Sequence, residues 1–259
     1  MSLTFSLIQS KIFWENKEAN LAMLEEKIIG IQEKTQVVIL PEMFSTGFSM
    51  QPNLFAETMQ GETINWMKKV AALKRIILTG SIMIEEDGNY YNRLIWMLPN
   101  GQIGHYDKRH CFAYANEDKH YKAGTQKKIA VVNGWKINLQ ICYDLRFPVW
   151  VRQQKNDLFD VILYVANWPQ KRSYAWKSLL IARAIENQCY VVAVNRVGKD
   201  GNDIEYSGDS MVINPLGDIL YCKQNDEDIF TITLDKTSVE EIRNKFPFWK
   251  GADDFALRL

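Results

Sequence analysis

Cys142 closes an apolar run in the stretch INLQICYDLRFPVW, residues 137–150. Residues 137–141 read as a buried strand. The apolar pattern breaks at the cysteine, and a helix-compatible run follows from Phe147. A thiol at the C-terminal end of a buried strand, just ahead of a helix, sits where open α/β sheets place their chemistry. The backbone N–H groups of such a turn lack partners and can bind a developing oxyanion. A free cysteine there serves equally well as a small buried hydrophobe, and only a special electrostatic setting makes it reactive.

Two further positions supply that setting. The run VVIL, residues 37–40, ends in Pro41-Glu42, which puts a carboxylate directly after a buried strand. Lys108 lies in GHYDKRHCFAYANEDKHYKAG, residues 104–124, a stretch too charged for a core element and too aperiodic for a helix. The composition predicts a long loop, and long loops inside compact domains usually carry function. The same stretch holds Glu117 and all three histidines, His105, His110 and His120. Outside a special setting Glu42 is a solvated loop acid and Lys108 a surface cation. Together with a thiol they make a chemistry. The thiolate is the nucleophile, and a free cysteine, with a pKa of about 8.5, is mostly protonated near neutrality. Glu42 could take the proton if burial raises its affinity for it. Lys108 could hold the thiolate and the oxyanion of a tetrahedral intermediate, with the Tyr143 N–H as a second donor.

Taken together, PEMF around Glu42, YDKRH around Lys108 and CYDLRFP around Cys142 resemble the nitrilase superfamily of carbon–nitrogen hydrolases, and the resemblance spans essentially the whole chain. VANWP, ARAIENQ and the stretch from NRVGKDGND to YSGDSMVINPLG match as well. The resemblance implies a Glu–Lys–Cys triad of Glu42, Lys108 and Cys142, with Glu117 as a second glutamate that orients the substrate. It implies a four-layer α-β-β-α sandwich in a single domain, residues 1–259, that dimerises through its helical faces. It also implies acylation of Cys142, loss of ammonia or an amine, and hydrolysis of the thioester by water, with no metal or organic cofactor.

Nitrilases proper resemble C-W-E after the nucleophile, whereas Tyr143-Asp144 follows here, which favours amide substrates. PEMFSTGFSM, CYDLRFPVW and ANWPQKRSYAWKSLLIARAIENQ are most similar to the bacterial omega-amidases, which remove the terminal amide of 2-oxoglutaramate and 2-oxosuccinamate. Val149 stands where many other relatives carry a glutamate, which leans away from those subgroups. Amidases of N-carbamoyl amino acids, deaminated glutathione or simple aliphatic amides stay open as alternatives. An omega-amide of this type carries a carboxylate at its far end, and an arginine can grip a carboxylate with two parallel hydrogen bonds. Lys171-Arg172 after VANWP is the candidate pair, and Arg146 the other candidate. An arginine one turn past the nucleophile more often holds its loop through a buried ion pair, here with Asp144. Trp168 and Phe44 are candidate pocket walls, or else packing.

Two other classes compete. A Cys–His nucleophile would pair His110 with a thiol such as the adjacent Cys111, but it leaves Glu42 unexplained. A non-catalytic protein that keeps the fold has no reason to retain all three triad positions.

The elements that must position these residues alternate. Residues 3–9 and 37–40 read as strands, with an amphipathic helix over 17–34 that turns Leu21, Leu24, Ile28 and Ile31 inward. A helix over 62–75 presents Trp66, Val70 and Leu73, and Asp87-Gly88-Asn89 marks a hairpin between strands 76–85 and 91–98. In the second half, hairpin strands over 128–132 and 135–141 lead into Cys142. A helix over 147–154, a strand over 161–166, a helix over 172–188 and a strand over 190–195 follow. A hairpin, a last strand and a short helix over 238–245 complete it. Periodicity alone does not choose between one doubly wound sheet and two stacked sheets covered by helices.

Composition bounds the rest. Lys plus Arg and Asp plus Glu are 31 each among 259 residues, so neither nucleic acid nor an anionic membrane is an expected partner. The N-terminus lacks a signal-peptide pattern, and no apolar run reaches the roughly 18 residues of a transmembrane helix. Four scattered cysteines show no zinc spacing and suit a reducing cytoplasm. The tail, residues 246–259, carries Phe246, Phe248, Trp249 and Phe255 and calls for burial against a second subunit.

Overall fold

The computed structural model describes residues 1–155 and 157–257. In the first half, β1 (Ser2–Gln9), α1 (Lys17–Gly30) and β2 (Val37–Ile39) lead through α2 (Pro52–Phe55) to α3 (Glu62–Lys74). Three antiparallel strands follow: β3 (Ile77–Glu86), β4 (Asn89–Met97) and β5 (Ile103–Asp107). A short α4 (Glu117–His120) leads to β6 (Ile129–Val132) and β7 (Trp135–Ile141). The second half continues with α5 (Pro148–Val151), β8 (Val161–Ala166), α6 (Ser173–Asn187), β9 (Tyr190–Asn195) and β10 (Val197–Lys199). It ends with β11 (Glu205–Ile213), β12 (Ile219–Gln224), β13 (Asp228–Asp235) and α7 (Lys236–Lys245).

Two sheets result. One has the order β13-β1-β2-β3-β4-β5 and the other β10-β11-β9-β8-β7-β6, with β12 beside β11. The centres are parallel (β1-β2-β3 and β7-β8-β9), and the flanks are antiparallel.

Alternation along the central strands explains the layers. Leu3, Phe5, Leu7, Val37 and Ile39 point into a core shared with Ile137, Leu139 and Ile141 of the other sheet. Their neighbours Ile8, Val38 and Leu40 point the other way, onto Leu21, Leu24 and Ile28 of α1 and Met67 and Val70 of α3. On the outer side of the second sheet, Trp176, Leu180 and Ala184 of α6 lie in one core with the residues of β9. The order is helices, sheet, sheet, helix: the expected four-layer α-β-β-α sandwich. A period of two on each strand and an apolar stripe on each helix are enough to specify it.

Three local departures have physical causes. α1 stops at Gly30, because Ile31 turns extended and buries its side chain from the loop. Leu73 lies at the edge of the α3 stripe, in its last turn, and is 63% exposed. Part of the stretch that reads as loop is β5, an edge strand whose one fully buried side chain is Tyr106. Such a strand needs little apolar sequence, so its charges hide it.

Candidate active site

Strand ends gather the site. Glu42 follows β2, Lys108 follows β5, Cys142 follows β7 and Asn167 follows β8. β5 runs in the same direction as β2 because two antiparallel pairings separate it from β3. These ends therefore lie on one edge of each sheet.

Lys108 is 1% exposed and its ammonium is shared by two carboxylates. It donates to Glu42 Oε1 at 2.8 Å and to both oxygens of Glu117 at 2.9 Å. Asn92 of β4 donates to Glu42 Oε1 at 2.8 Å and to Glu117 Oε1 at 3.1 Å, which ties the two acids together. The Phe112 N–H closes on Glu117 Oε2 at 2.5 Å. From the other sheet, the Asn167 N–H donates to Glu42 Oε2 at 2.8 Å, while its side-chain amide donates to the Glu42 carbonyl at 2.6 Å. Both glutamates are fully buried. The ring of Phe48 lies 5.1 Å from the lysine Nζ.

Cys142 begins a tight 3-10 turn, Cys142–Arg146, with φ of +44°. A non-glycine residue in that region is strained by about 1–3 kcal/mol and persists only where its surroundings hold it. The strain turns the thiol out of the sheet into a cavity of about 720 Å³, which Lys108, Tyr143 and Asn167 also line. Among the described residues no acceptor meets the Tyr143 N–H, which leaves it available to a bound oxygen.

The electrostatics favour a protonated thiol at rest. Burial first, and the Glu42 charge second, push the Cys142 thiol well above its ordinary value, and Lys108 opposes them. Burial alone would push Lys108 down, but Glu117 and Glu42 outweigh it and hold the ammonium charged. Burial also raises Glu117, against the pull of Lys108 and with the push of Glu42. One lysine between two acids leaves no spare cation to keep a thiolate.

The candidates for substrate contact divide. Trp168, Lys171, Arg172 and Arg146 all line the cavity. Arg146 lies exposed, 5.0 Å over the Trp168 ring, and Arg172 lies 5.1 Å over the Phe112 ring. The expected ion pair of Arg146 with Asp144 is absent. Asp144 accepts instead from the Ile141 N–H, the Tyr106 hydroxyl and His110, on the buried side of the turn. Among the described residues none of Arg146, Lys171 and Arg172 is in an ion pair. Phe44 is not a pocket wall: it is fully buried, 5.9 Å from Trp66, and packs on Gly80, where a Cβ would meet its ring at 2.7 Å. Phe48, four residues on, takes that place.

The Cys–His alternative finds no geometry. The His110 ring is held by Asp144 at 2.8 Å and stacks on Phe147, and burial pushes the neighbouring Cys111 thiol up to about 12. Sequence reading missed Asn92 and Asn167 as site residues. Asn167 carried a signal, as a polar residue just past an apolar strand, whereas Asn92 lies beside Arg93 in a strand whose first half is polar.

A thiol turned out of its strand toward a buried lysine and two carboxylates, at the meeting edge of two stacked sheets, defines a hydrolase scaffold for carbon–nitrogen bonds. The chain belongs to the carbon-nitrogen hydrolase family, whose model matches residues 4–244. It is similar to the omega-amidase YafV of Escherichia coli, with 42% identity over 98% of each chain. It is also similar to a 2-oxoglutaramate amidase of Bacillus subtilis, with 34% identity over 95% of this chain and 96% of the other. A crystal structure of a CN-hydrolase superfamily protein from Xanthomonas campestris, which carries an arsenic adduct in its active site, superposes with a TM-score of 0.97. The two are 40% identical, and all of each chain is covered. The resemblance to the nitrilase superfamily and the sandwich fold are thereby established.

Proposed function

We propose that the protein is a thiol-dependent amidohydrolase that cleaves the terminal carboxamide of a small 2-oxo acid, 2-oxoglutaramate or 2-oxosuccinamate, to the dicarboxylate and ammonia. The observation that carries this reading is the arrangement of charge. A buried Glu–Lys–Glu cluster lies beside Cys142, and Arg146, Lys171 and Arg172 line the same cavity, which Asp203 and Glu205 also line, without an ion-pair partner among the described residues. An amide at the thiol and a carboxylate at the cations match the two ends of an omega-amide. The names of the relatives point the same way.

Each group then has a role. Glu42 takes the Cys142 proton as Sγ attacks the amide carbon, and the carbonyl electron pair moves onto oxygen. Lys108 and the Tyr143 N–H stabilise that oxyanion, and loss of one such donor typically lowers the rate by about 10²–10³-fold. Glu117 holds Lys108 and orients the amide. Glu42 returns its proton to the nitrogen, the C–N bond breaks, and ammonia leaves a thioester. Water attacks the thioester as Glu42 takes a proton from it, and the departing Cys142 sulfur receives that proton. Arg172, with Lys171 and Arg146, grips the far carboxylate over the Trp168 wall. The reaction needs no metal or organic cofactor.

The assembly belongs to the same reading: a homodimer in a reducing cytoplasm, joined through the helical face and the tail. Four free thiols suit that compartment. No helix among the described residues is long and apolar enough to cross a membrane. One observation favours a second reading. A cavity of about 720 Å³ exceeds what a five-carbon acid fills, so a larger amide such as deaminated glutathione or an N-carbamoyl amino acid is the competitor. Ammonia release decides. Rapid release from 2-oxoglutaramate, little from glutamine and none with Cys142→Ala supports the proposal. Faster release from a larger amide than from 2-oxoglutaramate overturns its substrate.

A further inference from the structure

We infer that Asp144 and His110 are positioning residues that hold Lys108 and Cys142 at a fixed separation. The inference rests on the reading of Cys142 as nucleophile, and it adds two residues that never touch the substrate. Neither side chain lines the cavity, so any effect on turnover must pass through other groups.

The Asp144 carboxylate is fully buried and accepts four hydrogen bonds. Oδ2 takes the Ile141 N–H at 3.1 Å, from the residue just before the nucleophile, and the Tyr106 hydroxyl at 2.8 Å, from two residues before Lys108. Oδ1 takes the His110 N–H at 3.0 Å and its ring Nδ1 at 2.8 Å, from two residues after Lys108. One carboxylate thus grips the chain on both sides of the lysine and immediately before the cysteine. A carboxylate accepts and cannot donate, so the Nδ1 proton resides on His110. The ring is fixed from a second direction. It stacks on Phe147 at 3.7 Å and 4°, and meets Trp150 nearly at right angles, with ring centres 6.0 Å apart. The Trp150 indole in turn donates to the Tyr106 hydroxyl at 3.0 Å. This cage braces the residue that most needs it, because Cys142 holds a strained φ immediately beside it.

Three variants test it. Asp144→Asn keeps the shape, but an amide offers a single acceptor oxygen and loses at least one of the four bonds. His110→Phe keeps a flat ring on Phe147 and removes the Nδ1 donor, while His110→Asn restores a donor without the ring. In steady-state kinetics, Asp144→Asn and His110→Phe are expected to lower kcat about 10- to 100-fold, the scale of a displacement near 1 Å. KM should stay within about threefold, and His110→Asn should stay near wild type. The pH profile of Cys142 alkylation by iodoacetamide, corrected with Cys142→Ala, should move to higher pH in the two impaired variants, because the lysine that opposes the rise of the thiol no longer sits at its set distance. Thermal melts identify any variant that fails to fold, and if Asp144→Asn fails, the histidine pair decides. Unchanged kcat and alkylation in His110→Phe overturn the inference. So do equal losses in His110→Phe and His110→Asn, which would show that a restored donor at this position rescues nothing. Alkylation displaces iodide and requires no amide hydrolysis, so a protein inactive on 2-oxoglutaramate would refute that substrate and still report on this pair.

Discussion

Glu42 raises the thiol that it is proposed to deprotonate, and this fixes the consequence of its removal. In Glu42→Gln the charge that pushes Cys142 up is gone while Lys108 stays, so the thiol should titrate at lower pH than in wild type. Turnover should nevertheless fall by about 10²–10⁴-fold, because the proton has no acceptor. Thiolate absorbance across a pH titration, with Cys142→Ala as background, checks the first statement, and ammonia release checks the second. A thiol that titrates higher in the variant would sink this account. Arg172 carries a different signature. Its guanidinium lies over Phe112 and has no ion-pair partner among the described residues, so Arg172→Gln should leave the protein stable. A lost charge-assisted hydrogen bond is about 1.5–3 kcal/mol, or roughly 10- to 100-fold in KM for a carboxylate-bearing amide. An amide without a carboxylate should show no such change, and equal loss for both would remove Arg172 from the substrate-binding set.

Elements were legible where periodicity was strong and obscure where a strand could afford charges. The buried strands β7, β8 and β9 read directly from VILYVA-type runs, and with them the places of Cys142 and Asn167. β5 did not, since an edge strand with Tyr106 as its one fully buried residue resembles a loop. Phe44 and Phe48 show the limit at side-chain level: both follow Glu42, and the backbone turns through Met43, with φ of +43°, and Gly47, with φ of +79°, set which ring reaches the cavity. Asp235 illustrates an element whose behaviour follows from its cap. Its carboxylate accepts from the Thr237 hydroxyl and N–H at the start of α7, and these bonds hold it below the usual carboxylate range. A depressed carboxylate contributes stability above its unfolded value, and that contribution disappears as pH falls through its folded value. Asp235→Ala should therefore lower the melting temperature at neutral pH and flatten its fall in acid. Parallel acid limbs for the two proteins would contradict the cap.

At the scale of the molecule, apolar surface remains where helices form the outermost layer. Ile185 of α6 is 50% exposed, Leu216, next to the Gly217 that packs on Ile185, 53%, and Phe248 of the tail 70%. The tail itself is tied down through Gln188 and Gln154, whose amides donate to the Phe246 and Phe255 carbonyls, and residues 258 and 259 lie outside the described part. The proposed homodimer predicts twice the chain mass in sedimentation. Ile185→Glu should shift the protein to monomer, whereas a wild-type monomer at micromolar concentration would refute the assembly. Charge, length and cysteine count bounded this level without resolving it, because a contact between two copies leaves no period in one sequence.

The bridge from Asn167 to Glu42 joins one sheet to the other at the chemical centre. A chain whose sheets have formed separately would already give its full circular dichroism, yet it would hold the glutamate and the cysteine apart. Regained turnover therefore acts as a clock for the docking of the halves, and on dilution from denaturant it should lag the backbone signal.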